Sequence, residues 1–172
     1  YEHSVRVPAI VWSPGRIPGG RIVEDLTALF DFATTILELA GAEVPEWMEA
    51  ESLVPYFGKE QPKGRQYVFS EHAGDRIFNG TAFMTMIRDD QYKLVHFAET
   101  DGQLFDLSAD PEERVYLWGN PKYENKQGEM LNAILDWRIS SALKTQKWTQ
   151  ASLRYGPSSG RTPHSDARQV GE

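Results

Sequence analysis

The sequence predicts an α/β chain in two parts. A strand and helix of the kind found in a mostly parallel sheet come first; a small α+β unit of four antiparallel strands and one long helix follows. Three observations point there. Residues 5–12 form a short apolar run rich in β-branched side chains, closed by Ser13-Pro14-Gly15, as a strand covered on both faces does. Residues 24–41 carry Leu29, Phe32, Ala33, Ile36, Leu37 and Ala40 at three- and four-residue spacings, one face of a helix. From residue 66 onward, four short runs separated by turn residues precede a long helical repeat.

The elements follow in order. The run 5–12 has no strand or crossover helix before it, so it reads as the trailing strand of a larger sheet. Residues 14–20, rich in Pro and Gly, are a surface turn. In the helix expected over 24–41, Asp31 could cap a shorter version starting at Phe32, and Gly41 suits a left-handed stop. Residues 43–64 lack periodicity and read as a surface connection with one helical turn at most.

Strands are expected at 66–70, 81–88, 92–98 and 103–107, with turns at Asp89-Asp90-Gln91 and Asp101-Gly102. Short turns between successive strands require antiparallel pairing. A helix over 123–143 places Met130, Leu131, Ile134, Trp137, Ser141 and Ala142 on one face to cover that sheet. The expected division is 1–58 for the end of an α/β core, 59–143 for the sheet-and-helix subdomain, and 144–172 for a polar tail. Such a tail would order only against the rest of the protein or a second copy of the chain.

Composition narrows the function. A formal net charge of -7, with no stripe of Lys and Arg, argues against a nucleic-acid partner. Aromatic content of 12% with five Trp argues for a packed core. No run is apolar for long enough to span a membrane. The chain has no Cys, which excludes disulfides and thiolate chemistry and leaves the compartment open between the cytoplasm and the exported fraction of a bacterium.

Five motifs carry a resemblance. They are Glu2 with Arg6-Val7-Pro8 and Pro14-Gly15; Asp31 to Ala40-Gly41; Ser52-Leu53-Val54-Pro55 with Gly58; Arg88 with Tyr92-Lys93-Leu94-Val95; and Leu104-Phe105-Asp106-Leu107 with Asp110-Pro111-Glu112-Glu113. In order and spacing, across residues 1–137, they resemble the C-terminal part of arylsulfatase-type sulfatases in the alkaline-phosphatase superfamily. Thr34 stands where that family usually has Pro, and Tyr116 where it usually has Asn. The first swap removes rigidity from a first helical turn, the second a loop-capping hydrogen bond. Taken singly, the motif residues read as structural: strand alternation in Tyr92-Lys93-Leu94, caps and turns in Asp106 and Asp110-Pro111.

The resemblance implies an alkaline-phosphatase-like core, hydrolysis of sulfate esters, a calcium ion, and a formylglycine made from Cys or Ser in Cys/Ser-x-Pro-x-Arg. It also implies Lys and His contacts to the sulfate. None of those motifs lies in this chain; in Ser13-Pro14-Gly15-Arg16 the Pro and Arg fall at the wrong offsets. Nucleophile and metal ligands are therefore expected upstream of Tyr1, and these residues alone are expected to be inactive. The partners implied are a sulfated small molecule or sugar and the N-terminal part of the same enzyme.

Three residues are candidates for substrate contact. By the resemblance, His3 is next to where the family's active-site Lys would lie. His72 and Arg76 stand at and after a strand end, where recognition residues collect and where Arg suits an anion. His96, mid-strand, reads as a half-buried sheet residue, and His164 lies in the tail without a partner. Two other readings remain open: a phosphonate monoester or phosphodiester hydrolase of the same superfamily, and a non-catalytic binding or assembly module.

Overall fold

The computed structural model describes residues 1–58, 62–74 and 83–154, the last eight of them by backbone alone. Strands β1 (Val68–Ala73), β2 (Phe83–Arg88), β3 (Tyr92–Phe97) and β4 (Gln103–Asp106) form one antiparallel sheet in the order β1-β2-β3-β4. This is the four-stranded meander the alternating runs predict. Asp89 closes the β2–β3 hairpin, its Oδ1 accepting the N–H groups of Gln91 (2.9 Å) and Tyr92 (2.5 Å).

Register decides which side chains share a face. Ile87 pairs with Leu94 and Leu94 with Leu104, so these three line one side. There they meet Met130 and Ile134 of the long helix Glu124–Arg154, together with Leu117, to make the core. Phe69 of β1 stacks on Trp137 of that helix at 4.5 Å between ring centroids, with the planes 5° apart. The opposite side carries Met86, Arg88, Lys93, Val95 and Phe105.

The helices, in chain order, are α1 (Glu2–Val5), α2 (Asp31–Leu39) and α3 (Glu124–Arg154). The sequence places the end of the long helix at 143, and the structure carries it to Arg154. Propagation adds one hydrogen bond per residue once a helix is nucleated, and no Gly or Pro stands between residue 143 and Arg154. Part of the expected polar tail is therefore helical; residues 155–172 lie outside the described part.

Two expectations for the first third are corrected. Residues 5–12 form no strand. Val5 ends α1, and the side chains of Ile10 and Trp12 are 90% and 82% exposed. A strand exists through the backbone bonds of its neighbours, and none of β1 to β4 pairs with this run.

The second correction concerns α2, which begins at Asp31 rather than near residue 24 and buries its polar side. Asp31, Thr34 and Thr35 are buried, whereas Leu29, Ile36 and Leu39 are exposed. The buried groups are satisfied. Both Thr hydroxyls donate to the Asp31 carbonyl (3.0 and 2.6 Å), and Thr35 Oγ1 accepts from the Leu53 N–H at 2.8 Å. The Asp31 carboxylate turns back from the helix to take the N–H groups of Ala28 (2.7 Å) and Glu51 (3.0 Å). It also pairs with Arg65 at 2.9 Å. It gathers three segments and does not cap the helix. Gly41 does supply the left-handed stop, at φ 68°, with the Ala42 N–H returning to the Leu37 carbonyl at 2.9 Å.

Candidate functional site

Strand alternation puts Lys93 on the sheet side away from α3, next to Arg88 and Phe105. Its side chain is 1% exposed. An ammonium group withdrawn from water needs carboxylate partners. Two reach it. Glu113 forms an ion pair with its Nζ, and Glu2 Oε1 lies 3.3 Å away. The same Glu2 oxygen is 3.4 Å from Arg88 Nε, and the Glu2 backbone N–H donates to Glu113 Oε2 at 2.5 Å.

The loop after β4 explains how Glu113 arrives there. Asp106 Oδ1 accepts the N–H groups of Ser108 and Ala109, and Asp110 Oδ2 those of Arg114 and Val115. These two caps hold a turn in which Glu113 takes φ 57°, the left-handed region that side chains other than Gly rarely adopt. The turn directs its carboxylate back onto the sheet. Glu2, Lys93 and Glu113, each from a different sequence motif, thus meet at one cluster that fastens α1 to the sheet.

His3 follows Glu2 on α1 and is exposed. His72 lies on β1, half-buried, and pairs with Met84 in a register that puts it on the Arg88 and Lys93 side. The elements bearing His3 and His72 therefore meet one sheet face. Arg76 lies outside the described residues, as does His164. His96 is exposed, not half-buried, on the α3 side of the sheet beyond the core.

Sequence reasoning missed a second polar group, on the other face. Arg138 of α3 pairs with Glu71 at 2.5 Å, donates to Thr85 Oγ1 at 3.0 Å, and stands 4.6 Å from the Phe83 ring centre. Together with Trp137, Ser141 and Thr145 it lines a cleft of about 490 Å³. No one-dimensional signal links a helix Arg to a strand Glu this far upstream.

Lys126 ties α3 to the β2–β3 hairpin through Asp89 (2.8 Å) and also pairs with Glu129 of its own helix (2.9 Å). Burial opposes its charged form, but the hydrogen bonds to Asp89 and Glu129 outweigh burial and raise its pKa. Tyr67 donates to Glu129 at 2.6 Å; burial first, then that bond, push the phenol up to about 12. The Tyr67 and Lys126 hydrogen bonds in turn hold Glu129 below the usual carboxylate range.

Among the described residues, no three His, Asp or Glu side chains are grouped so as to hold a metal ion. The chain has no Cys, and its Ser13-Pro14-Gly15-Arg16 has the wrong spacing for formylglycine formation. The donor set of the described residues does not fit calcium, and the sequence holds no Cys/Ser-x-Pro-x-Arg from which formylglycine is made. Among the described residues, no helix is long and apolar enough to cross a membrane.

The family model described as N-sulphoglucosamine sulphohydrolase, C-terminal, matches residues 1–140. A choline-sulfatase of Rhizobium meliloti is 36% identical over 144 residues, 81% of this chain and 26% of that protein. A phosphonate monoester hydrolase from Silicibacter pomeroyi superposes with a TM-score of 0.66 at 27% identity, over 76% of this chain and 28% of that one. A structure solved in complex with its substrate D-glucosamine-2-N,6-O-disulfate superposes with a TM-score of 0.59 at 26% identity, over 65% of this chain and 24% of that one. The chain spans only 25–30% of the length of the first curated relatives it matches. The match over residues 1–140 decides the family: the chain belongs to the N-sulphoglucosamine sulphohydrolase C-terminal family, the sulfatase C-terminal domain of the alkaline-phosphatase superfamily.

Proposed function

We propose that this chain is the C-terminal part of a sulfatase that hydrolyses a sulfate ester on a sugar or small molecule. In this reading the nucleophile and metal ligands lie on residues preceding Tyr1. Formylglycine and calcium, implied by the family, would supply the nucleophile and the Lewis acid there, so no step is routed through residues of this chain. What carries the reading is the family match over residues 1–140.

Residues 1–58 complete the catalytic core in this reading, and residues 59–143 form the subdomain that shapes one wall of the substrate pocket. The exposed run 5–12 and the exposed apolar side of α2 support it. Val7, Ile10, Val11 and Trp12 are 55%, 90%, 43% and 82% exposed, and full burial of a side chain as exposed as that of Ile10 gains about 1.5–3 kcal/mol. Insertion into the sheet of the core would give that run both its backbone partners and its apolar cover. His3, His72 and Arg76 are the proposed substrate contacts of this chain, imidazole and guanidinium groups suiting an anionic ester.

The test is turnover by the full-length enzyme, matured to carry formylglycine, on paired aryl sulfate and aryl phosphonate monoester substrates. A kcat/KM at least a hundredfold higher for the sulfate supports the reading, and the reverse preference refutes it. A second reading, phosphonate monoester hydrolysis, is favoured by the superposition on the Silicibacter pomeroyi enzyme. The same paired assay separates the two. His72→Ala is expected to raise KM for the sulfate about tenfold; an unchanged KM removes His72 from the pocket.

A further inference from the structure

The Lys93 cluster is built more firmly than a sheet needs. Lys93 and Glu113 have side chains 1% and 2% exposed, and Glu113 sits in the left-handed backbone region. Filling this sheet face with apolar side chains would be the simpler packing, since buried ion pairs add little net stability over hydrophobic replacements. What ion pairs add is direction. Glu2 is held at both ends: its carboxylate by Lys93 and Arg88, its backbone N–H by Glu113. The next residue along α1 is His3.

We propose that Lys93, with Glu113 and Arg88, is a positioning device that locks Glu2 to the C-terminal sheet and thereby sets where His3 stands against the substrate. Lys93 does not touch the substrate; it acts through Glu2. The inference rests on the reading of His3 as a substrate contact. It goes further in assigning Glu2, Lys93 and Glu113, from three separate motifs, to one joint between the subdomain and the pocket. The side chain of Glu2 is 14% exposed, so removing its cationic partners leaves a largely shielded carboxylate unpaired, which favours release of the segment.

The experiment uses the full-length enzyme with Lys93→Met, Lys93→Arg, Glu2→Gln and His3→Ala, singly and combined. Hydrogen exchange over residues 1–7 reads the clamp directly. Lys93→Met and Glu2→Gln are expected to accelerate it at least tenfold, and Lys93→Arg to restore protection. Unchanged exchange in both variants overturns the clamp, whatever His3 does.

Kinetics read the consequence. Lys93→Met and His3→Ala should each raise KM about tenfold with kcat held within twofold, and the double variant should be no more than twofold worse than the poorer single. Losses that multiply to about a hundredfold overturn the coupling. Accelerated exchange with no kinetic effect from His3→Ala overturns the proposal at His3 itself while leaving the sulfatase assignment standing. If Lys93→Met does not fold, Glu2→Gln carries both measurements, because it leaves the Lys93–Glu113 pair in place.

Discussion

Replacing Asp31 by Ala tests whether the first third of the chain is organised by a buried carboxylate and not by an apolar helix face. Asp31 is 0% exposed, and its two oxygens accept from Ala28, Glu51 and Arg65 at 2.7, 3.0 and 2.9 Å. Each hydrogen bond to a charged group contributes about 1.5–3 kcal/mol, and removing one member of a buried ion pair costs about 3–5 kcal/mol. The Arg65 side chain is 13% exposed, so water reaches part of the stranded guanidinium, and Glu51 is a second carboxylate 3.5 Å from it. Both facts put the expectation at the low end, about 3 kcal/mol.

A local loss of that size raises the open population by about two orders of magnitude. Hydrogen exchange in the full-length enzyme checks this, because it resolves regional opening. Amides of residues 28–31 and 51–53 should exchange about a hundredfold faster in Asp31→Ala, while those of β2 and β3 stay protected. Acceleration below about fivefold would refute the argument, and so would equal acceleration throughout the sheet.

Three further outcomes follow from particular contacts. A Cβ at Gly102 would lie 2.3 Å from Trp118 Cζ3, against a ring packed on the core, so Gly102→Ala should destabilise the subdomain by about 1–3 kcal/mol in urea unfolding. The Tyr67 pKa is raised from 10.0 to about 12, so the fold favours the neutral phenol. Its contribution is whole below pH 10 and is lost as pH rises through about 12; Tyr67→Phe should therefore flatten the alkaline fall in stability over that window, measured by chemical unfolding at stepped pH. Ile10→Asp puts a charge in the run proposed to enter the core sheet, and should abolish soluble folded enzyme or lower its melting temperature by more than 10 °C, although Ile10 is 90% exposed here. An unchanged melting temperature removes that run from any buried sheet.

The two halves of the chain differ in how much could be read from residues alone. In β1 to β4 the alternation of side chains and the intervening turn residues are local, and strand order follows because short turns permit only adjacent antiparallel pairing. The core side of α3 was legible for the same reason: Met130 and Ile134, four apart, are both buried. In sequence Gly102 reads as a turn glycine, and what requires it is the Trp118 ring, sixteen positions later in sequence but in contact in space.

In α2 the apolar periodicity is real, yet the side that is buried is the polar one. The carboxylate of Asp31 and the hydroxyl of Thr35 reach chain segments twenty and eighteen residues away. The candidate site divides along the same line. His3 and His72 are proposed from residue type and position, whereas the cluster that holds α1 leaves no signal in the sequence.

The family motifs, the four-stranded meander and the long helix are legible in the residues alone, because each depends on spacings within ten or so neighbours. That Lys93 meets Glu2 across ninety-one positions and Glu113 across twenty is settled by folding alone. The physical reason is desolvation. A charge or hydroxyl chooses its partner by where folding withdraws water, and that is a property of the packed chain rather than of any stretch of it.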